Sequence, residues 1–327
     1  MKRLIYIAVF ASCLTALAVT IYLMLTIFQS DMDMDTSSFP LTDRHPEHIV
    51  LISQEQGSYV MNEIQKGARE AGEAHGMKVD FSGVYRSNFE ELLKQIDIAI
   101  ASKVNGIIIE GVDRPEFELM VDKATERGIP VVTINSDAPG SLRKTYVGSD
   151  HYQEGILMGE RIAADLGGKG VIGVVANPDS MDTDQLRLKG LREALNGFTG
   201  IRLVFASKDA EMLQPSMQAY DMLNHFPSIN AFIGLKADSA KSIVQAGESR
   251  SRMKGYKVFM FDNSPQTVKL IQDGLVQAGL SQHYEEMGRM SVDLIERWLG
   301  SDQLPLGRSY YTPISIVIAS DPKEAAR

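Results

Sequence analysis

Cysteine occurs once in the 327 residues, at Cys13, which excludes an internal disulfide and any zinc site built on thiolates. Histidine is scarce too: the six are scattered, and no HExxH brings two of them to one helix face. Basic charge is in deficit. The formal charge is −9, and −11 once the two cations Lys2 and Arg3 are set aside, so a nucleic-acid or polyphosphate partner finds no clustered Lys and Arg. There is no GxSxG, no P-loop and no convincingly placed pair of carboxylates, so nothing points to an enzyme. Gly168-Lys169-Gly170-Val171-Ile172-Gly173 has GxGxxG spacing, yet it leads into an apolar run instead of leaving one, which makes it a tight turn. Asp179, Asp182 and Asp184 lack the glycine and bidentate glutamate of a calcium loop and suit a helix cap instead. The sequence therefore calls for no metal and no cofactor.

What is present begins with a long apolar run. From Leu4 to Phe28 there are 25 residues without a charge, about 37 Å of helix at ~1.5 Å per residue against ~30 Å of hydrocarbon. Lys2 and Arg3 before it, and Asp31, Asp33 and Asp35 after it, place the N-terminus in the cytoplasm and everything beyond Phe28 outside. Two cleavage readings compete with this single-pass anchor: Phe10-Ala11-Ser12-Cys13 has lipobox character, and Ala16-Leu17-Ala18 has small-x-small form, although each would leave apolar residues beyond the cut. Residues 29–47 are polar and acidic with Pro40 and Pro46, a tether of on the order of 25 Å.

From residue 48 the chain alternates short β-branched runs with longer amphipathic stretches. HIVLIS (48–53), KVDFS (78–82), GIIIE (106–110) and PVVTI (130–134) read as strands, with helices before Gly76, over 88–103 with Asn88 as N-cap, and over 115–127 with Pro115 at the first position. The pattern repeats with strands at 171–176, 201–206, 231–234 and 257–261 and helices between them. Such crossovers predict parallel sheets with helices on both faces, in two lobes. A long helix at 284–299 and a strand at 314–318 stand outside the repeat and are long enough to cross between the lobes.

The ordered set Lys66-Gly67-Ala68, NGIIIEGVD (105–113), RGIPVVTINSDAP (127–139), YVGSDHYQEG (146–155), Arg187 three before Gly190, VFMFDNSP (258–265) and GLSQHYEEMG (279–288) resembles the type I periplasmic sugar-binding proteins, the ribose-binding class. The resemblance covers about 48–320. It implies an α/β fold of two doubly wound parallel-sheet lobes joined by a three-strand hinge, here preceded by one transmembrane helix. The divisions expected are anchor 1–28, tether 29–47, first lobe 48–150 with 283–309, and second lobe 151–282 with 310–320. Crossings fall near 149–151, 282–284 and 308–310.

A ligand of such a fold sits outside the carboxyl ends of the strands, and a sugar hydroxyl needs carboxylates, amides and Arg around it. Asn135, Asp137, Arg187, Asp262 and Gln282 meet both conditions and match the family's motif positions. Asp262 also suits a helix N-cap or a turn before Pro265, and Asn135 and Asp137 compete for one role. Where the family has Asn-Pro and two aromatics, this chain has Gln54-Glu55-Gln56-Gly57-Ser58-Tyr59, leaving Tyr59 to stack and Gln56 to hydrogen-bond. Lys236 replaces an expected Asn and puts a cation near the cleft, consistent with an acidic sugar or a surface lysine. The function expected is extracytoplasmic capture of a monosaccharide or related small polar ligand and delivery to an ABC transporter; the alternative is a membrane-anchored sensor signalling to a histidine kinase. The partners are the sugar, the permease or kinase, and the membrane through 4–28.

Overall fold

The computed structural model describes residues 15, 17–21, 46–85, 88–176, 182–207, 213–235, 239–249 and 256–319. Thr15 and residues 17–21 are helical, and among the described residues no helix is long and apolar enough to cross a membrane; the rest of the run 4–28 lies outside them.

From residue 46 the chain builds two six-stranded sheets. The first contains β1 (His48–Ser53), β2 (Lys78–Gly83), β3 (Gly106–Glu110), β4 (Val131–Ile134), β5 (Thr145–Gly148) and β11 (Ser309–Tyr311), in the order β11-β5-β4-β3-β1-β2, all parallel. The second contains β6 (Lys169–Val175), β7 (Gly200–Phe205), β8 (Ala231–Gly234), β9 (Lys257–Met260), β10 (Ala278–Gln282) and β12 (Ile314–Val317), in the order β12-β10-β9-β8-β6-β7, parallel except for the β10–β12 pair. Continuous apolar runs such as Ile107-Ile108-Ile109 are what a strand buried on both faces requires, and a separate core fills each face of each sheet.

The helices are α1 (Tyr59–His75), α2 (Phe89–Ala101), α3 (Pro115–Glu126), α4 (His151–Leu166), α5 (Asp182–Leu195), α6 (Pro215–His225), α7 (Ser239–Ser249), α8 (Pro265–Gln272) and α9 (Tyr284–Leu299). Their ends follow local chemistry. Ser58, Asn88, Asp150 and Ser264 each accept a first-turn N–H with the side chain, and α1 stops where Gly76 enters the left-handed region at φ 66°.

Two helix pairs lie unusually close. A Cβ at Gly67 of α1 would land on the carbonyl of Glu285, and one at Gly288 of α9 on the carbonyl of Ile64. In the second lobe Gly155 of α4 meets Arg187 and Gly190 of α5 meets Tyr152 in the same reciprocal way. The motif glycines are thus contact points at which two backbones touch.

The chain leaves the first sheet at 149–150 and returns through His283 into α9, which packs on α1. The third crossing, expected at 308–310, falls at 312–313. β11 pairs with β5 through Ser309–Tyr146, Tyr310–Val147 and Tyr311–Gly148, which keeps Tyr310 and Tyr311 in the first sheet.

Candidate functional site

At the carboxyl end of β3, Glu110 turns back into the protein. Its Oε2 accepts the Gln54 N–H (2.7 Å) and its Oε1 accepts the Asn135 amide (3.1 Å). Burial pushes this carboxyl above its ordinary range, and the two donors only partly offset the effect. Asn135, just past β4, is held at φ 63°, a left-handed conformation that Asn tolerates better than most side chains. Its carbonyl accepts from the Tyr146 hydroxyl (3.0 Å) and from His151 Nε2 (2.9 Å). Asp137 is occupied otherwise: Arg143 grips it through Nε and through Nη2 (2.6 Å), the Thr133 hydroxyl donates to it (2.7 Å), and the Arg143 side chain is only 5% exposed. Gln56 is half-buried, and its backbone N–H donates to the Val84 carbonyl.

On the second lobe the centre is Glu154, fully buried on α4. Its Oε2 accepts from Arg187 Nε (2.7 Å) and lies 3.1 Å from His151 Nδ1, while Oε1 accepts from the Gln282 amide. The Tyr284 hydroxyl donates to Gln282 Oε1, and Arg187 Nη1 donates to the Leu235 carbonyl (2.9 Å). Burial alone would raise the Glu154 pKa, but the guanidinium and His151 overcome it and hold the carboxyl well below its usual range. Burial also pushes the Tyr284 hydroxyl up, reinforced by the nearby Asp262 charge. The ring of Tyr59 meets that of Tyr284 edge-on, with centroids 6.3 Å apart.

Asp262 is fully buried and set into its own turn, where the Ser264 N–H (2.9 Å), the Ser264 hydroxyl (2.7 Å) and the Thr267 hydroxyl all donate to its carboxylate. These bonds make Asp262 a turn residue before α8, whose N-cap is Ser264. Lys236 lies outside the described residues, as do Asp179 and the side chain of Asp182, while Asp184 Oδ1 is 3.7 Å from Arg187 Nη1.

Five of the eight candidates therefore join one assembly. Arg187 and Gln282 meet on Glu154, Tyr59 reaches it through Tyr284, Asn135 joins through His151, and Asp262 acts on Tyr284 through its charge. Asp137 is tied to Arg143 instead. Beside this assembly a cavity of about 1120 Å³ opens between the lobes, with Asp113 and Asp137 on one wall, Asp184 and Leu235 on the other, and Ser149 and His151 at the crossing. Ser149 Oγ is buried and, among the described residues, has no hydrogen-bond partner; the same holds for Ser53 Oγ at the end of β1.

Sequence reasoning missed Glu154, His151, Glu110 and Tyr284. A signal existed for Glu154: it falls on the apolar face of α4, in step with His151, Met158 and Ile162, where an ionised side chain needs a partner. Glu110 ends an apolar strand at its carboxyl end, where ligand sites of open sheets lie.

Residues 49–302 match a family described as periplasmic binding protein domain. The chain belongs to this family. Among curated members, the D-ribose/D-allose-binding protein of Pseudomonas aeruginosa is 24% identical over 262 residues, 76% of this chain and 82% of that protein. Among solved structures, GanP, a glucose-galactose binding protein from Geobacillus stearothermophilus, superposes with TM-score 0.80 at 30% identity, over 86% of this chain and 100% of GanP. The XylFII–LytSN complex matches with TM-score 0.76 at 27% identity, over 84% of this chain and 99% of the matched one. The two-lobed arrangement of periplasmic binding proteins is the fold described above.

Proposed function

We propose that this protein is an extracytoplasmic receptor that captures a monosaccharide or similar small polar molecule between its lobes and delivers it to an ABC transporter. The observation that carries this reading is the inter-lobe cavity, bordered by Asp113, Ser136 and Asp137 past the strands of the first sheet and by Asp184, Gln185, Lys189 and Arg192 of α5 on the second lobe. Such groups exchange hydrogen bonds with hydroxyls and change no covalent bond, so the reading is of a binder and not of an enzyme. Asn135 and Gln56 from the first lobe, Asp262 and Gln282 from the second, and the Tyr59 ring are proposed contacts by their sequence positions; none of them lines this cavity as it stands, and Asp262 and Gln282 would have to exchange their present partners for a ligand. Asp137 lines the wall but is engaged by Arg143, and Lys236 is assigned by its sequence position alone. The uncharged run 4–28 is the proposed anchor, with the lobes outside the membrane.

A second reading, a sensor subunit signalling to a membrane histidine kinase, is supported by the similarity to XylFII, which has been solved in complex with LytSN. Calorimetric titration of the purified full-length chain with D-ribose, D-allose, D-xylose, L-arabinose, D-glucose and D-galactose tests the common core. At least one sugar is expected to bind with Kd of about 1 μM or tighter, and heats indistinguishable from dilution for all six at millimolar concentration would sink the proposal. In a deletion strain, lost uptake of the labelled sugar supports delivery, whereas intact uptake with a lost sugar-dependent transcriptional response supports sensing.

A further inference from the structure

His151 stands at the first crossing as the opening residue of α4 in the second lobe, yet its ring bonds in both lobes. Nε2 lies 2.9 Å from the Asn135 carbonyl and 3.2 Å from the Tyr146 hydroxyl, both of the first lobe. Nδ1 lies 3.1 Å from Glu154 Oε2, three residues further along α4. His151, Tyr146 and Glu154 are all buried, so breaking these bonds leaves polar groups unpaired away from bulk solvent.

The same carboxylate reaches the second crossing. Glu154 Oε1 accepts from the Gln282 amide at the end of β10, and Gln282 Oε1 accepts from the hydroxyl of Tyr284, which opens α9. α9 packs on α1 of the first lobe, and the Tyr284 ring meets Tyr59 of α1 edge-on. At the third crossing the Thr312 N–H donates to the Gly148 carbonyl (2.9 Å), and the Tyr311 ring stands edge-on to Tyr146 with centroids 6.3 Å apart. A strap of buried polar side chains thus runs from Asn135 through His151, Glu154 and Gln282 to Tyr284, anchored in the first lobe at both ends.

We propose that this strap is a latch that holds the two lobes at one resting angle, with His151 as the link that gives way when the lobes turn. This goes beyond the receptor reading, because it concerns the chain before any ligand binds. Short peptide crossings alone absorb rotation readily. The strap opposes it: turning one lobe against the other draws Asn135 and Tyr146 away from His151 and Tyr284 away from Gln282, and each separation strands a buried donor or acceptor. Arg187 Nε, bonded to Glu154 at 2.7 Å, keeps the carboxylate in place as the pivot of the strap. His151 is the releasable link because of where it lies. His151 and Tyr146 border the inter-lobe cavity, whereas Gln282 and Tyr284 do not, so a molecule entering the cavity meets the His151 end first.

The test uses the full-length chain without ligand, spin-labelled at the exposed positions L119C on α3 and M217C on α6 in a Cys13→Ser background, and reads the distance distribution between the labels. H151Q removes the ring that spans Asn135 and Glu154. It is expected to raise the fraction of molecules outside the wild-type peak at least about threefold, the factor that follows from losing one net hydrogen bond. Y284F deletes the hydroxyl at the other end of the strap and should spread the distribution in the same way. H75Q is the control: His75 lies 2.7 Å from Asp293 in a similar pair, but both residues belong to the first lobe, and its distribution should superimpose on wild type. Thermal melting shows which variants are folded. A folded H151Q whose distribution superimposes on wild type overturns the proposal, and so does an H75Q that spreads as far as H151Q. If H151Q does not fold, Y284F decides in its place, where spreading supports the latch and superposition overturns it. No sugar is present in these measurements, so a failure of the sugar titrations overturns the receptor reading and leaves the latch standing.

Discussion

Glu154 shows what one misplaced charge would cost this protein. A buried carboxylate is tolerated because Arg187, Gln282 and His151 surround it, and removing one partner of such a pair typically costs about 3–5 kcal/mol. E154Q should therefore be clearly less stable than wild type at neutral pH. The pH dependence has a definite sign. The carboxyl titrates well below its usual value in the folded chain and near ~4.3 in the unfolded one, so in mild acid the unfolded state binds more protons. The ion pair's contribution is whole above about pH 5 and is lost as pH falls through the window below ~4.3. In denaturant titrations, the stability gap between wild type and E154Q is expected to narrow steadily from about pH 5 to pH 3. A gap of constant size across that range would show that the interaction is not ionic.

Elements pack by backbone contact in two places, α1 on α9 and α4 on α5, each through a reciprocal pair of glycines. An alanine in a helix is ordinarily worth up to about 1 kcal/mol over glycine, because glycine gives up more chain entropy on folding. At Gly190 a Cβ would meet the Tyr152 carbonyl, which cannot move without shifting α4 itself. Overpacking of that kind costs about 1–3 kcal/mol, so it outweighs the propensity gain. Gly190→Ala is thus expected to lower the urea midpoint, whereas Gly197→Ala, whose Cβ would meet nothing within 4 Å, should leave it unchanged. Equal midpoints for the two variants would show that the helices can separate without loss. Displacement of α4 would also move Glu154, the residue before Gly155, so Gly190→Ala should weaken ligand binding beyond its effect on stability.

The whole molecule is two rigid sheets joined by short crossings at 149–150, His283 and 312–313, and such connections absorb rotation while each lobe keeps its core. On the proposed reading, a ligand with higher affinity for a closed arrangement would shift the population toward it, and the outer faces of the lobes would report the change to a membrane partner. Spin labels at Leu119 on α3 and Met217 on α6, both well exposed and on different lobes, can follow this motion in a Cys13→Ser background. Saturating sugar is expected to shift the L119C/M217C distance distribution, and an identical distribution with and without saturating ligand would rule out hinge closure as the signal.

Several features were legible in the sequence because they are local. A strand buried on both faces is a β-branched run, a helix begins at a side chain able to cap it, and Asn88 and Pro115 sit where α2 and α3 start. The alternation of those runs, twice over, already determined two parallel-sheet lobes. β5 and β11 were not legible as strands: Thr145–Gly148 and Ser309–Tyr311 lack the continuous β-branched run that marks the other strands, and β11 is held by pairing with β5, far away in the chain. The site divides along the same line. Sequence position put Asn135, Arg187, Asp262 and Gln282 at strand ends and helix starts, but residue type states only what a side chain can donate or accept. Tertiary structure decided to whom: Arg187 and Gln282 to Glu154, 33 and 128 positions away, Asp137 to Arg143, and Asp262 to its own turn. Hydrogen bonds of buried groups are fixed by which neighbours folding brings within about 3 Å, and no local pattern encodes that choice.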